Sequence, residues 1–273
     1  MFEVPTSLSP SRVQAFLSCP MAFRFASIQK LPEPPSVHTT RGSLVHRALE
    51  LLFMSAPAER TTDAALAALD VAIAEYRIDP EFTELALTDA QASTFFNEAR
   101  ELVHAYLAME DPTTIREIGL ELRLEAVVGG LTLRGIIDRL ELNADGELVV
   151  TDYKTGRAPS ARFEQSSFSG VHFYSFLCQA VLGRRPAKIR LMYLKSGEII
   201  EATPSEQSVR AVTTRTTAVW KAVERACLTE NFQPRPSGLC GGCSFKKWCP
   251  AFGGDPALAA VEAPLVLVTV APA

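Results

Sequence analysis

The chain has 273 residues, of which 47% are apolar and 21% are charged, an ordinary composition for a globular protein with a sizeable core. It contains no apolar run long enough to span a bilayer and begins without a basic signal segment, so we expect a cytoplasmic protein. The net charge of −4 is unevenly distributed along the chain. Residues 56–121 carry a net charge of −10, and the rest of the chain carries +6. That basic excess suits a polyanionic partner.

The first half of the chain is predicted to be helical. We expect a helix over 7–30, because Ser9 can cap its N-terminus and Pro10 suits its first turn. A proline-rich loop over 31–35 then leads to a helix that carries His46. Residues 61–110 are alanine-rich with apolar residues at helical spacing, which predicts an inserted helical lobe that walls a strand-sized channel.

The second half is predicted to mix strands and helices. Three strands are expected over 117–156, in two hairpins with Gly129-Gly130 and Asp145-Gly146 at the turns. These are followed by a helix near 165–182, strands at 188–194 and 198–202, and a long helix over 205–229. No internal repeat or P-loop is present.

These elements divide the chain into five segments. The expected segments are N-terminal helices (1–55), a helical insertion (56–116), an α/β core (117–230), a cysteine-bearing segment (231–252) and a tail (253–273). The tail is rich in Ala, Pro and Val, and we expect it to be disordered, with an edge strand at 265–270 as the alternative.

A D-x-K pattern ends the third predicted strand. Residues two apart on a strand share a face, so Asp152 and Lys154 point together and Tyr153 points away. Pairing with the preceding strand brings Asp138 toward Asp152. Carboxylates bind Mg²⁺ or Mn²⁺, and a nearby lysine can orient or deprotonate a water or offset charge on a phosphate. D-x-K alone more often marks a surface ion pair, but the surrounding residues favour a metal-dependent phosphodiesterase.

Four of the six cysteines have the placement of metal ligands. Cys240, Cys243 and Cys249 form a C-x2-C-x5-C group, and Cys19 lies far away in the chain. In a cytoplasmic protein such a group favours a metal over disulfides. The site binds either Zn²⁺ or an iron–sulfur cluster, and the three-plus-one spacing suits a [4Fe–4S] cluster somewhat better. The alternative is four reduced, unligated thiols. Cys178 and Cys227 lie in apolar helical patterns and are expected to be buried thiols.

Five motifs occur in one order along nearly the whole chain. They are Leu8-Ser9-Pro10-Ser11 with Cys19-Pro20, Gly42 to His46, Gly135 to Arg139, Asp152 to Gly156, and the cysteine trio. Together they resemble the RecB-type nucleases of the PD-(D/E)XK superfamily. The iron–sulfur forms, such as AddB C-terminal domains and the CRISPR adaptation nucleases, are the most similar.

The resemblance implies a fold and a catalytic site. The fold is an α/β restriction-endonuclease-like core, a central mixed sheet flanked by helices, with a helical insertion and a cluster that joins the two chain ends. The resemblance also implies a metal held by His46, Asp138, Asp152 and the carbonyl of Tyr153, with Lys154 at the scissile phosphate. An imidazole ligand suits Mn²⁺ better than Mg²⁺.

The resemblance assigns a structural [4Fe–4S] cluster to four thiolates, with Zn²⁺ as the alternative. Its ligands are expected to be Cys19, Cys240, Cys243 and Cys249. Closing so long a loop would restrict the unfolded chain and stabilise the fold.

One motif departs from the family. The usual Q-x-x-x-Y helix keeps Tyr174 as an expected catalytic residue but has Gly170 in place of glutamine. Either His172 or Gln165 is a candidate substitute for that amide. Glu50, one turn after His46, is expected either to support the metal ligands or to face solvent.

The implied activity is exonucleolytic hydrolysis of single-stranded or frayed DNA ends in repair or recombination. Without a motor of its own, the chain would use accessible ends or a partner such as a helicase. The alternative is a DNA-binding accessory subunit with weak or partner-dependent cleavage; the residues alone do not distinguish DNA from RNA. The candidate phosphate contacts are Arg139, Arg157, Arg162, Arg184, Arg185, Lys246 and Lys247.

Overall fold

The computed structural model describes the backbone of residues 1–128, 130–159 and 164–263, and the side chains of all of these except 164–171. Within these ranges no helix combines the length and apolar character needed to cross a bilayer. The chain forms two compact units. The terminal unit contains residues 1–34, 125–134 and 210 onward, and the core unit contains residues 35–124 and 135–209.

The helices and strands between residues 37 and 229 lie close to their predicted bounds. In chain order the helices are α1 (Pro10–Ser18), α2 (Pro20–Phe23), α3 (Val37–Phe53), α4 (Thr62–Tyr76), α5 (Pro80–Thr83), α6 (Asp89–Met109), α7 (Glu164–Leu182) and α8 (Glu206–Thr229). The strands are β1 (Ser7–Leu8), β2 (Arg116–Val128), β3 (Leu131–Leu142), β4 (Leu148–Lys154), β5 (Lys188–Tyr193) and β6 (Glu198–Ala202).

The helix predicted over 7–30 is interrupted at Cys19, and the prediction of one continuous helix is wrong. Helix α1 is capped by Ser9 as expected, but Cys19 adopts an extended conformation with φ −158° and ψ 104°. The break follows from Pro20, which lacks an N–H and disfavours the helical region for the residue before it. Helix α2 and a π-helical turn (Arg24–Ile28) continue the chain.

The strands form a mixed sheet in the order β1-β3-β4-β5-β6, and β2 also pairs with β3. Strands β3 and β4 are antiparallel, with Leu140 opposite Val150. Strands β4 and β5 are parallel, with Thr151 opposite Arg190, and α7 supplies the crossover that parallel neighbours require. The α/β fold with a central mixed sheet flanked by helices is therefore as expected.

Helices α3, α4 and α6 pack together around the main core of the core unit. Leu49, Leu69 and Val103 are buried there, and Tyr153 and Met192 of the sheet join the same cluster. The predicted lobe over 61–110 consists of α4, α5 and α6. Because adjacent strand residues point to opposite faces, Tyr153 faces these helices while Asp152 faces away from them.

The hairpin turn between β3 and β4 has the predicted chemistry. The side-chain oxygen of Asn143 accepts hydrogen bonds from the N–H groups of Asp145, at 3.0 Å, and Glu147, at 2.8 Å. Gly146 has φ +74°, a conformation that glycine adopts without strain. This turn fixes the register that places Asp138 near Asp152.

Part of the tail expected to be disordered has a defined structure. Residues 259–263 are helical, and the indole N–H of Trp248 donates to Glu262 at 2.8 Å. Lys247 forms an ion pair with the same carboxylate. The predicted edge strand at 265–270 lies outside the described residues.

Gly135 allows α7 to approach β3 closely. A β-carbon at this position would lie 2.7 Å from Leu177 Cδ1 and 3.3 Å from Tyr174 Cε1. We therefore expect Gly135→Ala to destabilise the fold by about 1–3 kcal/mol, measured by urea denaturation. Gly156→Ala is the control, because a β-carbon there would meet no described atom within 4 Å. Equal stability of both variants would show that α7 does not pack tightly here.

Candidate active site

The candidate site forms where His46 of α3 meets Asp138 of β3 and the C-terminal end of β4. Helix α3 carries His46, β3 carries Asp138, and β4 ends with Asp152 and Lys154. The β3–β4 register, with Arg139 opposite Thr151, places the two aspartates side by side. The structure therefore gathers these predicted site residues in one place.

The backbone of Tyr153 contacts two of these side chains. Its N–H donates to Asp138 Oδ2 at 2.7 Å, and its carbonyl oxygen lies 3.0 Å from His46 Nε2. If Nε2 carries the proton, Nδ1 is left with a free lone pair. His46 Nδ1 faces Asp138 Oδ2 at 3.6 Å. The carbonyl thus orients the imidazole; its expected role as a metal ligand stays a prediction.

Glu121 of β2 is a site residue that the sequence analysis missed. Its Oε1 lies 4.0 Å from His46 Nδ1, and one ligand atom each from His46, Glu121 and Asp138 lies within 4.8 Å of the others. Glu121 has φ +43°, in the left-handed region that non-glycine residues rarely occupy. Leu120 and Leu122 flank Glu121, and this alternation of apolar and polar residues could have indicated the face of β2 on which Glu121 lies. Nothing in the sequence indicates its left-handed backbone conformation.

The carboxylates of the site repel one another. Burial and the adjacent Asp152 charge raise the pKa of Asp138 to about 8. Burial and the Asp138 charge raise the pKa of Glu121 to about 7, and Glu50 adds to the repulsion. Burial lowers the pKa of His46, which favours the neutral imidazole. A neutral imidazole amid crowded carboxylates is a donor set that a divalent cation would stabilise.

Asp152 is buried between Lys154 and Tyr174. Its Oδ2 forms an ion pair with Lys154 Nζ but accepts no well-aligned hydrogen bond from the described residues. The Tyr174 hydroxyl lies 3.4 Å from Asp152 Oδ1. Asp152 Oδ2 therefore already faces the Lys154 ammonium. His46, Asp138 and Glu121, whose ligand atoms converge, fit Mg²⁺ or Mn²⁺, and Asp152 lies beside them.

Three further residues, Glu50, His172 and Gln165, are candidates for supporting roles at the site. Glu50 accepts a hydrogen bond from Arg47 at 2.8 Å, so it is paired rather than simply solvated. On α7, Nδ1 of His172 is buried without a hydrogen bond to a described residue. The side chain of Gln165 lies outside the described residues. The candidates to replace the missing glutamine at Gly170 therefore stay predictions.

The prediction that Arg139 contacts DNA is wrong. Its side chain is 0% exposed and forms ion pairs with Glu110 and Glu141. It follows Asp138 directly and so points to the opposite, helix-covered face of β3. Arg162 lies outside the described residues. The exposed members of the predicted set are Arg157, Arg184, Arg185, Lys246 and Lys247.

The four predicted cluster cysteines line one cavity of the terminal unit. The cavity wall includes Cys19, Cys240, Cys243 and Cys249. The Cys19 sulfur lies 3.5 Å from the backbone N–H of Arg235. No three of the four sulfurs lie within 4.8 Å of one another. The thiols thus face a shared space without forming a compact group. Cys178 and Cys227 are buried as expected.

Glu121→Gln tests the crowding directly. Removing one carboxylate should raise the melting temperature in EDTA, because repulsion with Asp138 is lost. The same change should weaken Mn²⁺ binding by about tenfold, measured by isothermal calorimetry. Glu125→Gln, which breaks an exposed ion pair with Arg134, is the control and should change neither value. Unchanged Mn²⁺ affinity in Glu121→Gln would remove Glu121 from the ligand set.

The chain is similar to known proteins over most of its length. A family model of the PD-(D/E)XK nuclease superfamily matches residues 7–250. The Gene 69 protein of Mycobacterium phage D29 is 25% identical over 270 residues, covering 89% of this chain and 96% of that protein. A structure from Eubacterium rectale named "Putative exonuclease" shares the fold with a TM-score of 0.54 at 10% identity, over 87% of each chain. Because the family match runs through every strand of the sheet, the chain belongs to the PD-(D/E)XK nuclease superfamily.

Proposed function

We propose that this protein is a metal-dependent deoxyribonuclease of the RecB type, an exonuclease that hydrolyses phosphodiester bonds at single-stranded or frayed DNA ends in repair or recombination. One observation carries the proposal: His46, Asp138 and Glu121 converge within 4.8 Å, beside Asp152 and Lys154. The superfamily match supports nuclease chemistry for the chain.

The proposed cation ligands are His46, Asp138, Glu121 and Asp152. When bound there, Mg²⁺ or Mn²⁺ supplies charge neutralisation at the phosphate and makes a water more acidic. Tyr153 orients His46 through its carbonyl and Asp138 through its N–H. The ligands are therefore held in place before the substrate arrives.

Lys154 is proposed to serve the scissile phosphate as a cation. Burial would lower the pKa of Lys154, but the Asp152 carboxylate more than offsets this effect and holds the pKa above its ordinary value. The ammonium group is therefore protonated at neutral pH and can neutralise developing charge on a phosphate oxygen. The Tyr174 hydroxyl orients Asp152. This charge state favours electrostatic stabilisation over proton removal by Lys154.

The substrate class follows from charge and from the absence of a motor motif in the sequence. A P-loop is missing from the sequence, so the enzyme acts on accessible ends or beside a partner that unwinds DNA. Exposed basic side chains supply sequence-independent phosphate contacts. The proposed contacts are Arg157, Arg184, Arg185, Lys246 and Lys247.

The cysteine cavity is proposed to hold a structural [4Fe–4S] cluster. Tetrahedral zinc with 2.3 Å bonds would bring its sulfurs to about 3.8 Å from one another. No three of the four sulfurs meet within 4.8 Å, so the choice of an iron–sulfur cluster rests on the three-plus-one spacing of the cysteines along the chain. Cys19 and the C-terminal trio line the same wall, which supports a shared ligand set.

Asp152→Asn and Lys154→Met test the nuclease proposal. Each variant should degrade end-labelled single-stranded DNA at least about 100-fold more slowly than wild type in Mn²⁺, while keeping the wild-type circular dichroism spectrum. EDTA should stop the wild-type reaction. Lys188→Met is the matched control, because it removes an exposed ammonium paired with Glu201 at 2.8 Å. It should cleave at the wild-type rate.

The same assay distinguishes the rival function. Full activity in either site variant would refute the site assignment. Cluster-loaded wild type that binds DNA and never cuts it would indicate an accessory subunit instead. The position of the released label reports the direction of digestion.

Cys243→Ala tests the cluster. Loss of one ligand should remove the visible absorption at about 400 nm. It should also lower the melting temperature, because cluster binding stabilises the folded unit. Cys178→Ala, a buried thiol outside the cavity, should keep the absorption. A colourless Cys243→Ala protein with wild-type stability would contradict the structural role.

A further inference from the structure

Arg139 is buried at the centre of a polar cluster behind the candidate site. Its guanidinium donates to both oxygens of Glu110, to Glu141 and to the hydroxyls of Tyr106, at 3.4 Å, and Tyr153, at 2.8 Å. Arg190 donates to the same Glu110 carboxylate at 2.9 Å. The charge of Arg139 is thus compensated within the core unit.

The guanidinium also connects elements that are distant in sequence. Glu110 directly follows α6, and the Arg139 guanidinium carbon lies 4.7 Å from the ring centre of Phe53, the last residue of α3. Arg139 itself belongs to β3, and Tyr153 belongs to β4. One side chain therefore contacts the C-terminal end of α3 and the residue that caps α6, two of the helices that pack beside the catalytic strands.

Tyr153 links this cluster to the site. Its hydroxyl accepts from Arg139 on the helix-covered face, while its backbone N–H binds Asp138 and its carbonyl faces His46. Any rotation of this residue would move both of those side chains. We propose that Arg139 is a positioning residue, which sets the metal ligands of the proposed nuclease through Tyr153.

The residue type fits this role better than a stabilising role alone. Buried ion pairs add little net stability over apolar side chains of the same volume, so stability does not require an arginine here. A guanidinium, however, presents five N–H donors in a rigid plane, and it uses them on carboxylates and hydroxyls around its whole edge. A lysine ammonium would keep the charge but lose the fixed fork.

The test compares Arg139→Lys and Tyr153→Phe with a matched control, Arg60→Lys. Arg60 is also buried, at 1% exposure, pairs with Glu117 and lies 4.8 Å from the same Phe53 ring. Its other hydrogen bonds end on backbone carbonyls outside the site. The measurements are Mn²⁺ affinity by calorimetry, melting temperature in EDTA, and kcat and KM on single-stranded DNA.

Positioning predicts a specific pattern. Arg139→Lys and Tyr153→Phe should weaken Mn²⁺ binding by about tenfold and lower kcat with little change in KM. Arg60→Lys should lower the melting temperature while Mn²⁺ affinity stays within about twofold. Tyr153→Phe keeps the ring in the core, so it remains measurable if Arg139→Lys does not fold.

The opposite pattern would overturn the inference. Wild-type Mn²⁺ affinity and kcat in Tyr153→Phe, or equal losses of affinity in the Arg139 and Arg60 variants, would leave Arg139 a structural residue only. The inference rests on the proposed function, and wild type is therefore measured first. Wild type that binds no Mn²⁺ would refute the proposed function and the positioning role with it.

Discussion

The site depends on the backbone of Tyr153, through the two peptide groups that flank this residue. Its N–H fixes Asp138 and its carbonyl faces His46. Two side chains from different elements are therefore positioned by a single strand. Strand β4 has β3 on one side and β5 on the other, and neighbours on both edges leave it little freedom to shift. The precision of the site is therefore a property of the sheet interior rather than of loops.

Two features of the site destabilise the protein and are not required to form the fold. Burial and neighbouring carboxylates raise the pKa values of Asp138 and Glu121, and Glu121 occupies a left-handed backbone conformation. Both features lower the stability of the empty protein. Natural proteins keep buried like charges and strained backbone mainly where function requires them. Here both features occur at the proposed cation ligands.

Local patterns predicted strands β2 to β6, the β3–β4 turn and the convergence of Asp138 with Asp152, because alternation and turn chemistry act over a few residues. They missed β1, whose residues they assigned to a helix. They failed where distant partners decide. Arg139 resembled a surface arginine beside a catalytic aspartate, but its partner Glu110 lies 29 residues away in sequence. The position of Glu121 in the site goes with its φ of +43°, which the sequence does not indicate. The break at Cys19 was foreseeable from Pro20.

The composition of the terminal unit has a consequence for the order of folding. It combines residues 1–34 with residues from 210 onward, and the contact of Arg235 with the Leu17 carbonyl joins positions 218 residues apart. Such contacts form slowly, and during synthesis this one must await residue 235. The ring of Phe25, whose centre lies 5.3 Å from that of Phe245 in the folded unit, is likewise without this partner until residue 245 is made. In the cell, this N-terminal segment therefore exposes apolar surface during synthesis and is a candidate for chaperone binding.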